Sequence, residues 1–297
     1  MIPAVFFLLI LIGGSNSSIV KYATNEFPPL IVVSLRAAIA FLFLTPFILK
    51  TVKITLNKKT LHLLSINILF AINWIAFVIG VHMTSVTLSQ LMYVPTSLIV
   101  AGLSAILLGE KFTKTQIAGL AITTLGASIL AFESLSTQNA AFGNPLGNLI
   151  IGFGVICWSI YLVLSKRISH IYSPLTIIFY NFLVAFIIAS VLILASPTAR
   201  NFNITLVSKA GFLSIFYVGI MSSAIYFYIN QWFVKHTTAF MSSLQIYPLT
   251  IMASIFGIIF YGERLTIGLT ASALLIMSGV FLSTSYQYIN RKRHGKN

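Results

Sequence analysis

The chain has 297 residues, 58% of them hydrophobic and only 7% charged. A soluble domain cannot cover itself in polar surface from that stock, so lipid must be its solvent. The formal net charge is +14, from 18 Lys and Arg against 4 carboxylates, all Glu. The cations stand singly or in small groups between apolar runs, which is how membrane orientation is encoded, and this argues against nucleic acid as a partner.

A membrane-spanning helix needs about 20 apolar residues. The runs, cut by Pro, Gly or charge, predict helices over 3–21, 30–49, 61–81, 86–108 and 115–132. A second set follows over 146–166, 174–195, 210–232, 239–260 and 268–289. The first run has no basic segment ahead of it and reads as a retained helix, not a removed signal peptide. Cys157, the single cysteine, lies in an apolar run, so an intrachain disulfide, a zinc cluster and a dithiol motif are all excluded. The expected fold class is an all-α integral membrane protein of ten transmembrane helices.

The polar stretch from Glu133 to Pro145 separates the two sets. The expected organisation is a five-helix unit over 1–133, a linker over 134–145, a second unit over 146–289 and a basic tail over 290–297. An even helix number puts both termini on one side. That side collects thirteen Lys and Arg against four on the other, with Arg36 left inside a span. The asymmetry predicts cytoplasmic termini in a plasma (inner) membrane, with the tail anchored at lipid headgroups.

The chain also repeats itself. At an offset of 153, Gly109-Glu110-Lys111-Phe112-Thr113 is echoed by Gly262-Glu263-Arg264-Leu265-Thr266. The same offset pairs Thr84 with Thr237, Ser89 with Ser242, Leu91 with Leu244, Pro95 with Pro248 and Gly126 with Gly279. Upstream, an offset of 145 pairs Lys21 with Lys166, Pro29-Leu30 with Pro174-Leu175, and Ala40-Phe41 with Ala185-Phe186. Each copy holds five helices, an odd number, so the second must enter the membrane from the opposite face. Two inverted five-helix repeats are the architecture in which secondary transporters place a solute near the midplane.

The duplicated segment from Pro95 and Pro248 through Gly109-Glu110 and Gly262-Glu263 to Gly126 and Gly279 resembles the drug/metabolite transporter superfamily, in its EamA-type ten-helix members. Arg36, following Pro29 at a helix start, belongs to the same resemblance, which covers essentially the whole chain. It implies export or exchange of amino acids, their derivatives or similar metabolites without ATP hydrolysis. The halves differ where family members often carry a Trp before a small residue: the second has Trp158-Ser159, the first Gly13-Gly14.

Polar and aromatic residues recur at helical spacing deep in several spans, where amides require partners. The candidate solute-binding residues are Asn16 in the first helix, Asn73, Trp74 and Phe77 in the third, and Ser89 and Tyr93 in the fourth. The second half supplies Trp158, Tyr161, Tyr226, Asn230, Ser242, Gln245 and Tyr247. They predict a midplane cavity between the first, third and fourth helices and the sixth, eighth and ninth. Small hydroxyls that merely pack helices, and Tyr or Trp in interfacial belts, are the competing reading for each residue singly. Arg36 is read either as a structural charge or as an attractor of a solute carboxylate in the outer vestibule. Glu110 and Glu263 are read as caps on the helix that follows each, with gating as the alternative. Pro95 and Pro248 should kink the fourth helix of each half. No cofactor or metal is expected, and no nucleophile or acid–base pattern marks an enzyme. A channel or a lipid-modifying enzyme would be the other classes, but neither repeated filter residues nor catalytic carboxylates are present. The partners are a small-molecule solute and the bilayer; oligomeric state is not encoded.

Overall fold

A computed structural model describes residues 2–51, 58–109, 113–136, 143–263 and 267–294. Every regular element among them is helical: α1 (Ile2–Gly14), α2 (Asn16–Glu26), α3 (Pro29–Thr51), α4 (Lys58–Met83), α5 (Val86–Leu91), α6 (Thr96–Leu108) and α7 (Lys114–Ser136). After the polar stretch come α8 (Pro145–Ile168), α9 (Pro174–Ala195), the short α10 (Pro197–Arg200), α11 (Lys209–Gly219), α12 (Tyr226–His236), α13 (Ala239–Ser243), α14 (Ile246–Tyr261) and α15 (Ile267–His294). Seven stretches among the described residues are long and apolar enough to cross a membrane.

Four predicted spans are altered in detail. The first is joined at Ser15 and runs on to Glu26, five residues past the expected end. It stops where Phe27 turns extended (φ −127°, ψ 145°), the conformation forced on a residue ahead of a proline. The fourth and ninth are interrupted just before Pro95 and Pro248, giving α5 and α6, and α13 and α14. Across the first interruption Tyr93 N donates to Gln90 O and Val94 N to Leu91 O, each at 3.0 Å, so the turn tightens where proline removes a donor. The eighth is split by a π-helical turn, Ile220–Ile225, between α11 and α12.

The outer face is apolar: Ile106, Leu194, Leu213 and Phe260 are 68–80% exposed. Arg36, Asn67, Asn181 and Ser223 are completely buried. This inverts the soluble-protein pattern, because in hydrocarbon the polar groups must find partners inside the bundle. α3 lies along α9, α4 against α8 and α9, and α7 along α15. In the last pair a Cβ on Gly126 would come within 2.9 Å of Ile276, and one on Gly279 within 2.6 Å of Thr123. Backbone contact this close lets dispersion hold helices that lipid does not push together.

Equivalent positions make equivalent bonds. Lys21 Nζ donates to His82 O and Thr84 O at 2.8 Å, and Lys166 Nζ donates to Val234 O and Lys235 O at 3.0 Å. Each lysine thus neutralises the carbonyl end of α4 or α12. Gly109 and Gly262 both take the left-handed conformation, φ 68° and 62°.

Candidate functional site

Between the first rod, α4, the α5–α6 break, α8, the π turn and the α13–α14 break lies a cavity of about 680 Å³, counting the space at its mouth. Of the candidates read from sequence, Asn16, Asn73, Trp74, Phe77, Tyr93, Trp158, Tyr226, Ser242 and Gln245 line it. Ser89, Tyr161, Asn230 and Tyr247 stand behind the wall, tied into the bundle. Ser89 donates to Val86 O at 2.7 Å, Tyr161 accepts from Asn181 at 2.6 Å, Asn230 accepts from Gln245, and Tyr247 pairs with Ser97.

The wall is held in place by its own bonds. Asn73 donates to the Tyr93 hydroxyl at 2.5 Å and to Gly154 O at 2.9 Å, joining α4, the α5–α6 break and α8. The lining rings of Trp74 and Phe227 pack with Phe70 and Phe182, ring centroids 5.1–6.2 Å apart. Trp158 stacks on Tyr161 at 5.4 Å. Gln90, Ser222, Ser243 and Phe227 also line the cavity and were not singled out by sequence. Gln90 sits in a span whose neighbours already drew attention, and its amide donates to Ser17. Ser222 is presented by the π turn, which leaves no trace in hydrophobic periodicity. Two lining atoms, Gln245 Oε1 and Ser222 Oγ, are buried without a hydrogen-bond partner among the described residues.

Arg36 stands among protein side chains. It is completely buried, with Nε donating to Ser223 Oγ and Nη2 to Asn16 Oδ1, both at 3.2 Å. Its guanidinium carbon lies 4.1 Å from the centroid of the Trp74 ring. The flat cation gains more from the indole face and two fixed acceptors than from stretching along two helical turns to water. At offset 145 the positions of Asn16 and Arg36 are those of Tyr161 and Asn181, which also bond to each other.

Glu263 caps α5, while residues 264–266, which lead into the helix the sequence reading expected it to cap, lie outside the described residues. Among the described residues the amides it accepts from are Val86 N at 2.5 Å and Thr87 N at 2.9 Å, at the start of α5. It therefore joins the two halves of the chain, and beside it Tyr261 donates to Ser18 O at 2.7 Å. Glu110 lies outside the described residues.

A bundle that is helical throughout its described residues, apolar on its outer face, with polar side chains buried inside and seven stretches able to cross a membrane, has the character of a multi-pass membrane protein. The chain belongs to the EamA-like transporter family, whose model matches residues 2–132 and again 145–285. Among curated relatives, the "Probable amino-acid metabolite efflux pump" of Escherichia coli (strain K12) is 24% identical over 286 residues, 93% of this chain and 92% of the relative. The "Uncharacterized transporter YyaM" of Bacillus subtilis (strain 168) is 23% identical over 279 residues, 91% of this chain and 89% of the relative. A solved crystal structure matches with a TM-score of 0.69 at 18% identity, covering 95% of this chain and 96% of its own, a likeness of fold alone.

Proposed function

We propose that the protein is a secondary transporter that moves amino acids or their derivatives across the plasma (inner) membrane by alternating access, in export or exchange. The observation that carries this reading is the cavity, whose wall sets aromatic faces beside an amide oxygen, Gln245 Oε1, and a hydroxyl, Ser222 Oγ, that have no hydrogen-bond partner among the described residues. Such a wall suits a solute with one apolar and one polar end. The efflux-pump name carried by a relative at 24% identity supports the amino-acid class. Asn16, Asn73, Trp74, Phe77, Tyr93, Trp158, Tyr226, Ser242 and Gln245 would contact the solute, and Ser89, Tyr161, Asn230 and Tyr247 would hold them.

The proposed architecture is ten transmembrane helices in two inverted units, 1–133 and 146–289, with both termini cytoplasmic. The reciprocal contacts support it: Gly126 meets Ile276, and Gly279 meets Thr123, which are the same two positions exchanged at offset 153. A residue meeting its partner's equivalent, and the reverse, is the signature of a two-fold axis. Glu263 is assigned a structural role at the junction of the halves, and Glu110, by the repeat, the same. The test is transport of radiolabelled amino acids into liposomes bearing the purified protein. Uptake above that of empty vesicles for a subset of the panel is expected; a panel that moves no faster than leakage would remove the amino-acid class.

A further inference from the structure

Arg36 is a fully buried cation whose known contacts are all to uncharged groups: Ser223, Asn16 and the Trp74 ring. Nη1 has no hydrogen-bond partner among the described residues. The two glutamates whose side chains the structure describes are engaged elsewhere, Glu26 with Ser208 and Glu263 with Val86 and Thr87. Taking a charge out of water is costly even after relaxation, and a ring face returns only part of that cost. A buried donor left unmet adds to it, more so when it is charged. Among the described residues no anion stands beside the guanidinium.

Packing alone does not call for the charge. At the equivalent place in the second half, Asn181 donates to Tyr161 at 2.6 Å and closes the same contact with two neutral side chains. The guanidinium also stands one side chain from the cavity, since its partners Asn16 and Trp74 both line it and Ser223 adjoins the lining residue Ser222.

Resting on the transporter reading above, we propose that Arg36 is the subsite for a carboxylate on the transported solute, reached from the cavity between Asn16 and Trp74. A carboxylate matches the unmet Nη1 of the guanidinium in charge and as a planar acceptor. A phosphate dianion would leave a second charge in a wall that offers no other described cation. Trp74, already stacked on the guanidinium, would then flank the carboxylate end of the solute, with Gln245 Oε1 free to accept from an amino group.

The experiment is ligand binding to the purified full chain in detergent, read by thermal shift and by quenching of tryptophan fluorescence. The probes are the twenty L-amino acids, their carboxamides, the corresponding decarboxylated amines, a set of 2-oxo and aliphatic carboxylic acids, and phosphate monoesters. Acids should bind at least tenfold more tightly than the matching amides or amines. Asn16→Asp gives Arg36 an internal carboxylate where Oδ1 now sits, so it should raise the melting temperature without ligand and abolish binding of the acids. Arg36→Lys should retain part of the preference for acids and Arg36→Gln none. The wild-type ligand series decides the matter if either variant fails to fold. Equal binding of acids and amides, binding of phosphate esters alone, failure of every acid to bind, or unchanged acid affinity in Asn16→Asp would each overturn the proposal. Binding of 2-oxo acids but not amino acids would uphold Arg36 and remove the amino-acid reading; binding of amino acids and amides alike would do the reverse.

Discussion

Trp74 serves two surfaces at once: it lines the cavity and closes one face of a buried guanidinium. It is only 3% exposed and sits in a cluster with Phe70, Phe182 and Phe227. Trp74→Ala should therefore lower protein abundance as well as transport, with a cost of about 3–5 kcal/mol for removing a core aromatic. Trp74→Phe keeps a ring over Arg36 and should give near-normal abundance with weaker transport. Abundance by immunoblot and uptake in vesicles separate the two, and a Trp74→Phe protein that transports like wild type would take the indole out of the solute's path. At this scale the sequence was legible where chemistry was conspicuous, as with Asn73, Tyr93, Tyr226 and Gln245, whose size and polarity are costly in mid-span. It was silent on Ser222 and Ser243, because a small hydroxyl that packs a helix and one that faces a solute read alike. For Arg36 the sequence left two readings open, because helical depth gives the distance to water but not whether an indole face stands nearer.

Beside the uninterrupted α4 and α8, the other elements around the cavity depart from straight α-helix. The π turn carries Ser223, which donates to Val218 O five residues back and accepts from Arg36 Nε. Ser223→Ala removes both bonds and leaves a charged donor buried, so it should destabilise the protein by roughly 1–3 kcal/mol. Thermal unfolding in detergent measures this, and a melting point unchanged within error would mean that the turn does not anchor the guanidinium. Glu263→Gln should cost about 1 kcal/mol, the usual loss when a helix start is deprived of a good acceptor, because only one of the two amide bonds to α5 keeps an oxygen partner. Its solute profile should match wild type; a changed profile at normal melting temperature would assign the carboxylate to gating. The breaks at Pro95 and Pro248 were readable, since proline removes a backbone donor wherever it stands. The π turn was not, because one extra residue per turn barely disturbs an apolar run. Nor were the α5 amides that Glu263 accepts from readable, because they belong to a helix 177 residues earlier that only the tertiary fold brings to the carboxylate.

At the scale of the whole molecule, the repeat predicts that equivalent residues of the two halves open onto opposite faces of the membrane. Lys21 and Lys166 are equivalents at offset 145, and each bonds the carbonyl end of α4 or α12 in its own half. Their neighbours Tyr22 and Arg167 are equivalent by the same offset and are both exposed, so a cysteine at either should be reachable without disturbing the lysine bonds. The native Cys157 is buried and can be replaced by Ser to give a clean background. In that background Tyr22→Cys should react with a membrane-impermeant maleimide applied to intact cells, and Arg167→Cys only when the reagent is given to inverted vesicles. The direction follows from the cations: in the proposed ten-helix topology thirteen of the 18 Lys and Arg would fall on the side shared by the termini, Arg167 among them, and Lys21 would be one of the four opposite. Labelling of both positions from one side would end the inverted repeat, because two copies with the same orientation would need an even number of helices in each. Labelling from opposite sides but with the assignments exchanged would keep the inversion and reverse the topology, placing both termini outside.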